Sequence, residues 1–112
     1  MSVDATQGLV TVRGHHELGP DTVGELAEVA RRFPSCPAVV IDLEDVDAVD
    51  NAAVSGILAL IHRCRERNAM VFLAGGSPSV SNAFQAVDAH HYAAMACSWE
   101  EAVEWAGAIT TN

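Results

Sequence analysis

The chain has 112 residues, half of them hydrophobic, which is enough for one core and too few for two ordinary domains. We therefore expect a single domain over residues 1–112. Six basic residues against fifteen acidic ones give a formal charge of −9, which argues against binding to nucleic acid or to an anionic membrane surface. No apolar run approaches the ~20 residues that cross a bilayer, and the first residues lack a secretory signal, so we predict a cytoplasmic protein without membrane insertion.

The first third of the chain predicts a β-hairpin and then a helix. Residues 3–13 contain a Thr6-Gln7-Gly8 turn, and apolar residues alternate with polar ones in the second arm. Apolar residues then recur at helical intervals over residues 20–33, where a proline can occupy the first turn. Thr22 and Glu25 have the spacing of a capping box, so we expect them to cap this first helix.

A continuous apolar run begins at Ala38 and breaks into acid at Asp42. Such a run is typical of a strand that is buried on both faces, so we predict a central parallel strand over residues 38–43. The acidic stretch that follows, residues 44–50, is interpreted as a connection.

The apolar spacing after the acidic stretch predicts a second helix over roughly residues 51–67. Asp50 or Asn51 can cap its start by accepting a hydrogen bond from a first-turn amide. Ligands and partners of open α/β sheets meet the carboxyl ends of the strands. Residues 42–55 are therefore the predicted working edge of the molecule.

The remaining sequence predicts two strands and two helices. Residues 70–74 form an apolar strand, and Ser77-Pro78 has the pattern of a cap and first residue of a third helix. A weak strand is expected near residues 92–96, followed by a helix that begins at a capping box of Ser98 and Glu101 and ends near Gly107. Strands that alternate with helices predict an α/β fold: a mixed, mostly parallel sheet of about four to five strands, about four helices and an N-terminal hairpin.

The acidic stretch has three interpretations from the residues alone. Its carboxylates can keep a surface segment solvated and cap a helix. They can hold a magnesium ion for metal-dependent hydrolysis, although their spacing does not match an EF-hand. They can also form a docking edge that attracts the basic surface of a partner.

Enzymatic chemistry finds little support in the sequence. Ser55, His62 and Asp50 could be named a nucleophile, a base and an orienting acid, but Ser55 falls inside the second helix and lacks the glycines of a nucleophile elbow. Neither a P-loop nor a G-x-G-x-x-G motif is present, so no cofactor is expected. We predict that the chain is not an enzyme.

The histidine pairs His15-His16 and His90-His91 are expected to be surface residues and not a metal site. Adjacent residues on an extended chain point to opposite sides, so neither pair could chelate an ion alone. Cys36, Cys64 and Cys97 have no C-x-x-C spacing and are expected to be reduced thiols.

Residues 39–43, Val-Val-Ile-Asp-Leu, together with Asp50 and the predicted helix after it, resemble the signature of STAS domains, the sulfate transporter and anti-sigma factor antagonist family. The segment from Gly14 to Leu18 is similar to the family's early Gly-Glu-Leu-Asp segment, although two histidines stand where Glu and Leu are usual. Ser77-Pro78 and residues 98–102 lie where the family places its last two helices. The resemblance extends over about the whole chain.

The resemblance implies an anti-sigma factor antagonist that binds an anti-sigma factor of the serine-kinase type. A second role that it implies is that of a regulatory subunit on the ATPase of a lipid-transport ABC complex. The anti-sigma factor would dock on the acidic stretch and the start of the second helix, at Asp42, Glu44, Asp47, Asp50, Asn51, Ala52, Ala53 and Ser55.

One departure from the family bears on regulation. Family antagonists read Ser-Ser-Gly after the loop aspartate, and a partner kinase phosphorylates the second serine. Here the matching residues are Asn51, Ala52 and Ala53, so the phosphoacceptor is missing and we expect no phosphorylation switch at this position. Ser55, which lies three residues after Ala52 on the same helical face, is the nearby candidate for a displaced phosphoacceptor.

Overall fold

The computed structural model describes residues 2–6, 9–33 and 36–110 of the chain. Two strands come first, and helices then alternate with strands, in the order β1 (Ser2–Thr6), β2 (Leu9–Leu18), α1 (Asp21–Arg32), β3 (Ala38–Val49), α2 (Asn51–Glu66), β4 (Met70–Ala74), α3 (Pro78–Ala86), β5 (Ala94–Ala96) and α4 (Trp99–Thr110). A short 3₁₀ helix, Ala89–His91, precedes β5. The predicted turn at Gln7 and Gly8 lies outside the described residues.

Within the described residues, the five strands form one sheet in the order β1-β2-β3-β4-β5. The hairpin strands β1 and β2 are antiparallel, and the three other neighbouring pairs are parallel. Four α-helices connect or follow the strands. The predicted α/β fold, with a mixed, mostly parallel sheet and an N-terminal hairpin, is confirmed.

The central strand β3 is apolar on both faces because helices cover both faces of the sheet. Val39 and Ile41 join the larger core, which also contains side chains of α1, α2 and α3. Ala38 and Val40 join a second core with side chains of α4. Successive residues of a strand point to opposite faces, so this double coverage explains the continuous apolar run.

The prediction that the central strand ends at residue 43 and that a connection follows was wrong. β3 continues to Val49, because residues 45–49 pair with residues 15–18 of β2. The register of this pairing shifts after Arg13, where a Cβ on Gly14 would lie 2.9 Å from Cγ2 of Val46. The bulge at this glycine therefore lets the two strands approach closely and carries the pairing through the acidic stretch.

Three of the four predicted helix starts have a side-chain cap that the sequence offered, and at α2 the cap is Asp50 and not Asn51. Asp50, Ser77 and Ser98 accept a hydrogen bond from the amide three residues further on, at 2.8, 3.3 and 3.2 Å. The capping box predicted for α1 was wrong. Pro20 occupies the cap position without a side-chain hydrogen bond, and Thr22 lies inside the helix as a buried residue.

The extended geometry assumed for His90 and His91 was also wrong. Both residues lie on the 3₁₀ helix, where their ring centroids are 4.3 Å apart, and both are exposed. The weak strand expected over residues 92–96 is present as the shorter β5. No helix of the described residues combines the length and apolar character needed to span a membrane.

Candidate functional site

The carboxyl ends of the parallel strands and the starts of the helices that follow them lie at one edge of the sheet, since every crossover returns the chain to the same side. Three contacts connect the segments there: Asp50 N donates to Leu18 O at 3.1 Å, Ser77 Oγ to Asp47 O at 3.2 Å, and Trp99 N to Glu44 Oε1 at 2.9 Å. We call the surface residues at the centre of this side the acidic edge: Glu44, Asp45, Asp47, Asp50, Asn51 and Ala52.

Asp42 was predicted to contact a partner, but the structure places it inside the protein. Only 4% of the surface of Asp42 is exposed. Oδ2 accepts a hydrogen bond from Arg13 Nε at 2.8 Å, and Oδ1 accepts one from Glu44 N at 3.0 Å. The carboxylate thus fixes β3 against β2, and its oxygens are not available to a partner.

Glu44 is exposed and also has a structural role. Its Oε1 accepts the hydrogen bond from Trp99 N, the first residue of α4, where a carboxylate is favoured by the unpaired amides and the helix dipole. The same side chain lies close to the turn after β4, since a Cβ on Gly75 would be 2.6 Å from Glu44 Cγ. Glu44 therefore joins the acidic edge to α4.

Asp45 and Asp47 are exposed on β3, with the buried Val46 between them. Asp45 was not among the predicted contact residues. The signal that could have found it is the alternation of acidic and apolar residues, which is typical of a half-buried strand. As a strand, this segment holds both carboxylates in a fixed direction.

The start of α2 presents Asn51 as an exposed residue and Ala52 as a half-buried one. Ser55 is also exposed, one turn further along the helix. Ala53 was expected to be exposed, and this was wrong, because it is 0% exposed. It begins the stripe that faces the sheet and continues with Ile57, so a partner cannot reach it.

The charges of the molecule are separated along the helix direction. All six basic residues are arginines, and five of them lie in the last turns of α1 and α2 or just after α2: Arg31, Arg32, Arg63, Arg65 and Arg67. Both helices start at the acidic edge, so these arginines lie at the opposite side of the sheet, where the helix dipoles favour cations. There Arg31 donates to Glu28, and this hydrogen bond lowers the pKa of Glu28 and raises the pKa of Arg31.

The acidic edge does not form a chelating cluster in the described part of the chain. No three of its carboxylates bring donor oxygens close enough together to share one ion. What the edge offers is a row of negative charges beside an uncharged helix start.

The profile of the STAS domain family matches residues 3–102. No curated protein sequence matches the chain significantly. Among solved structures, the anti-sigma factor antagonist SpoIIAA in its unphosphorylated form is similar with a TM-score of 0.83 and 19% identity, over 96% of each chain.

Two further structures share the fold. An anti-sigma factor antagonist from Mycobacterium paratuberculosis has a TM-score of 0.79 and 16% identity, over 92% of this chain and 89% of that chain. The STAS domain of a SulP transporter from Vibrio cholerae has a TM-score of 0.74 and 17% identity, over 97% of this chain and 89% of that chain. At these identities the likeness concerns the fold, whereas the profile match covers most of the sequence. This chain therefore belongs to the STAS domain family.

Proposed function

We propose that this STAS domain is a non-enzymatic regulator of the anti-sigma factor antagonist type, which acts in the cytoplasm and docks an anti-sigma factor of the serine-kinase type on its acidic edge. The observation that carries the proposal is the surface position of Asn51 and Ala52, an uncharged helix start flanked by exposed carboxylates. Such a surface steers the approach of a basic partner and offers it a helix turn to pack against. The likeness to two antagonists supports this choice.

The proposed contact surface consists of the acidic edge and Ser55. Asp42 and Ala53 are excluded from it because they are 4% and 0% exposed. Their role is to support the surface: Asp42 fixes the strand that carries Asp45 and Asp47, and Ala53 seats the first turn of α2 on the core.

A matched pair of substitutions on α2 tests the docking surface. Ala52→Lys places a bulky cation at the centre of the acidic edge, where it would displace a basic partner. Ala59→Lys makes the same change at an exposed position two turns away. With an identified anti-sigma factor, we expect Ala52→Lys to weaken binding by at least about tenfold, or 1.4 kcal/mol, and Ala59→Lys to change it little. Equal affinity of the two variants would place the docking surface elsewhere.

The partner itself is identified by a pull-down from the native cytoplasm. Recovery of an ATP-binding serine-kinase anti-sigma factor supports the proposal, and binding should be lost with the Ala52→Lys variant as bait. Recovery of an ABC-transporter ATPase would instead favour the regulatory-subunit role. The identity of the recovered partner therefore separates the two roles.

We further propose that docking is not controlled by phosphorylation at the helix start. Neither Asn51 nor Ala52 has a hydroxyl that a kinase could use, and neither carries a charge that imitates phosphate. Incubation with the partner kinase and ATP, followed by intact mass measurement, should show no stoichiometric gain of phosphate. A phosphate that maps to Ser55 and abolishes binding would make that exposed serine the switch.

A further inference from the structure

Three exposed side chains converge just after α3, at the side of the sheet opposite the acidic edge. Asp88, His90 and His91 each offer a donor atom, and these atoms all lie within 4.8 Å of one another. From this arrangement we propose that they form a binding site for one divalent transition-metal ion, with Zn²⁺ as the reference ion.

The backbone that carries the three residues is well defined by its own contacts. Asp88 has φ 58°, ψ 32°, a left-handed conformation that Asp and Asn tolerate better than most residues. His91 N donates to Asp88 O at 3.0 Å, and Ala93 N donates to Ala89 O at 3.0 Å. Ala89 is 0% exposed and anchors the turn in the core. The reversal at Asp88 and the tight 3₁₀ turn thus place the carboxylate and both imidazoles on one side.

The donor set suits a borderline metal ion. Two imidazole nitrogens and one carboxylate oxygen are ligands that Zn²⁺, Ni²⁺ and Cu²⁺ accept, and water can complete the coordination. Donor atoms bound to one such ion lie about 3.3 Å apart, given metal–ligand distances of about 2.0–2.2 Å. Small rotations of these exposed side chains close the remaining gap.

The charge around the site is mixed, because the arginines at the ends of α1 and α2 lie on the same side of the sheet. The net charge of −9 raises the local concentration of cations around the domain. One of these arginines, Arg65, has its guanidinium 4.8 Å from the ring centroid of Tyr92, the residue after His91. His62 also contacts Tyr92, with ring centroids 5.2 Å apart, but it is not part of the three-residue cluster.

The site is spatially separate from the proposed docking surface. α3 starts beside the acidic edge at Ser77 and runs to the other side of the sheet, where Asp88 follows it. Metal binding and partner docking can therefore be tested independently, and failure of one leaves the other in place.

Calorimetric titration of the untagged protein with Zn²⁺ tests the proposal. We expect one ion per chain, and a loss of affinity of at least about tenfold in each of Asp88→Asn, His90→Gln and His91→Gln. Asn tolerates the left-handed conformation at residue 88, so Asp88→Asn removes the charge and keeps the turn. His15→Gln and His62→Gln, at exposed histidines outside the cluster, are the matched controls and should bind as the parent chain does.

The side-chain signals of the histidines give a site-resolved second measurement. On addition of Zn²⁺, the NMR resonances of His90 and His91 should shift together, before those of His15, His16 and His62. Absence of Zn²⁺ binding by the parent chain at millimolar concentration would overturn the proposal. So would equally strong binding by a variant that combines Asp88→Asn, His90→Gln and His91→Gln, once unfolding curves show that this triple variant is folded.

Discussion

At the scale of single residues, Asp42 shows how burial changes the role of an acidic side chain. In the sequence it lies just before the acidic stretch, and the family resemblance places it in the docking surface. In the structure its side chain is 5% exposed and paired with Arg13, whose side chain is 42% exposed. A buried carboxylate with two hydrogen-bond donors is a structural element, and the arginine that satisfies it is the one basic residue placed away from the other five.

Removal of the Arg13 guanidinium should therefore destabilise the fold. Arg13→Met leaves one oxygen of Asp42 without its donor. We expect the free energy of unfolding to fall by about 1–3 kcal/mol. This loss is smaller than that for a fully buried ion pair, because Arg13 is partly solvated. Urea unfolding measures it. Arg63→Met, at an exposed arginine, is the control and should be nearly neutral. Equal stability of both variants would mean that water satisfies Asp42 as well as Arg13 does.

The three cysteines differ in exposure, and their reactivity should differ accordingly. Burial raises the pKa of the Cys64 thiol, with Arg67 acting in the opposite direction, whereas Cys97 is exposed. At neutral pH iodoacetamide should label Cys97 quickly and Cys64 only on unfolding, as read by peptide mass mapping. Labelling of both thiols at one rate would contradict this difference in reactivity.

The raised pKa of Cys64 also makes the stability depend on pH. Since the folded state favours the protonated Cys64 thiol, the contribution of this thiol to the free energy of unfolding is complete below pH 9.0 and is lost as the pH rises further.

At the scale of elements, the fit of α1 against α2 depends on a glycine. Gly56 is buried in α2, and a Cβ there would lie 3.2 Å from both Cα and Cγ2 of Val23 in α1. Gly24 in α1 is exposed, and a Cβ there would meet nothing within 4 Å. The missing side chain of Gly56 therefore lets α1 pack closely on α2, whereas that of Gly24 has no such effect.

This difference predicts opposite effects of the same substitution. Gly24→Ala should stabilise the protein by about 0.5–1 kcal/mol, since alanine restricts the unfolded chain and favours the helix. Gly56→Ala should cost about 1 kcal/mol, because the α1 backbone must move away. Thermal unfolding of the two variants beside the parent chain measures both changes. A gain in both variants would show that α1 shifts at no cost.

At the scale of the whole molecule, charge is distributed unevenly over a small body. The net charge is −9, and the principal extents are 35, 26 and 24 Å. Four carboxylates, those of Glu44, Asp45, Asp47 and Asp50, are exposed at one side, and five arginines lie at the other. The arginines are too few to balance the acidic residues, so repulsion among carboxylates opposes folding. The separation of the carboxylates from the arginines favours one orientation of approach by a basic partner.

Added salt should therefore stabilise the folded chain at neutral pH. The Debye length falls from about 30 Å at 0.01 M salt to about 8 Å at 0.15 M, so repulsion across the molecule is screened over this range. The midpoint of thermal unfolding at pH 7.5 should rise between these concentrations. Near pH 4.7, the isoelectric point of the sequence, the same addition should have little effect. A midpoint that falls with salt at pH 7.5 would show that attractive ion pairs outweigh the repulsion.

The amino-acid sequence alone determined the fold class and the helix caps Ser77 and Ser98, and it limited the cap of α2 to Asp50 or Asn51. These features depend on local patterns: a β-branched run, helical spacing and a capping side chain next to its own helix. The tertiary structure alone decided which acidic residues are accessible. The pairing of β2 with β3 turns the presumed connection into strand, and the contact of Asp42 with Arg13, 29 residues away, buries that carboxylate. Pairings between distant segments depend on the whole chain folding together, and no local pattern encodes them.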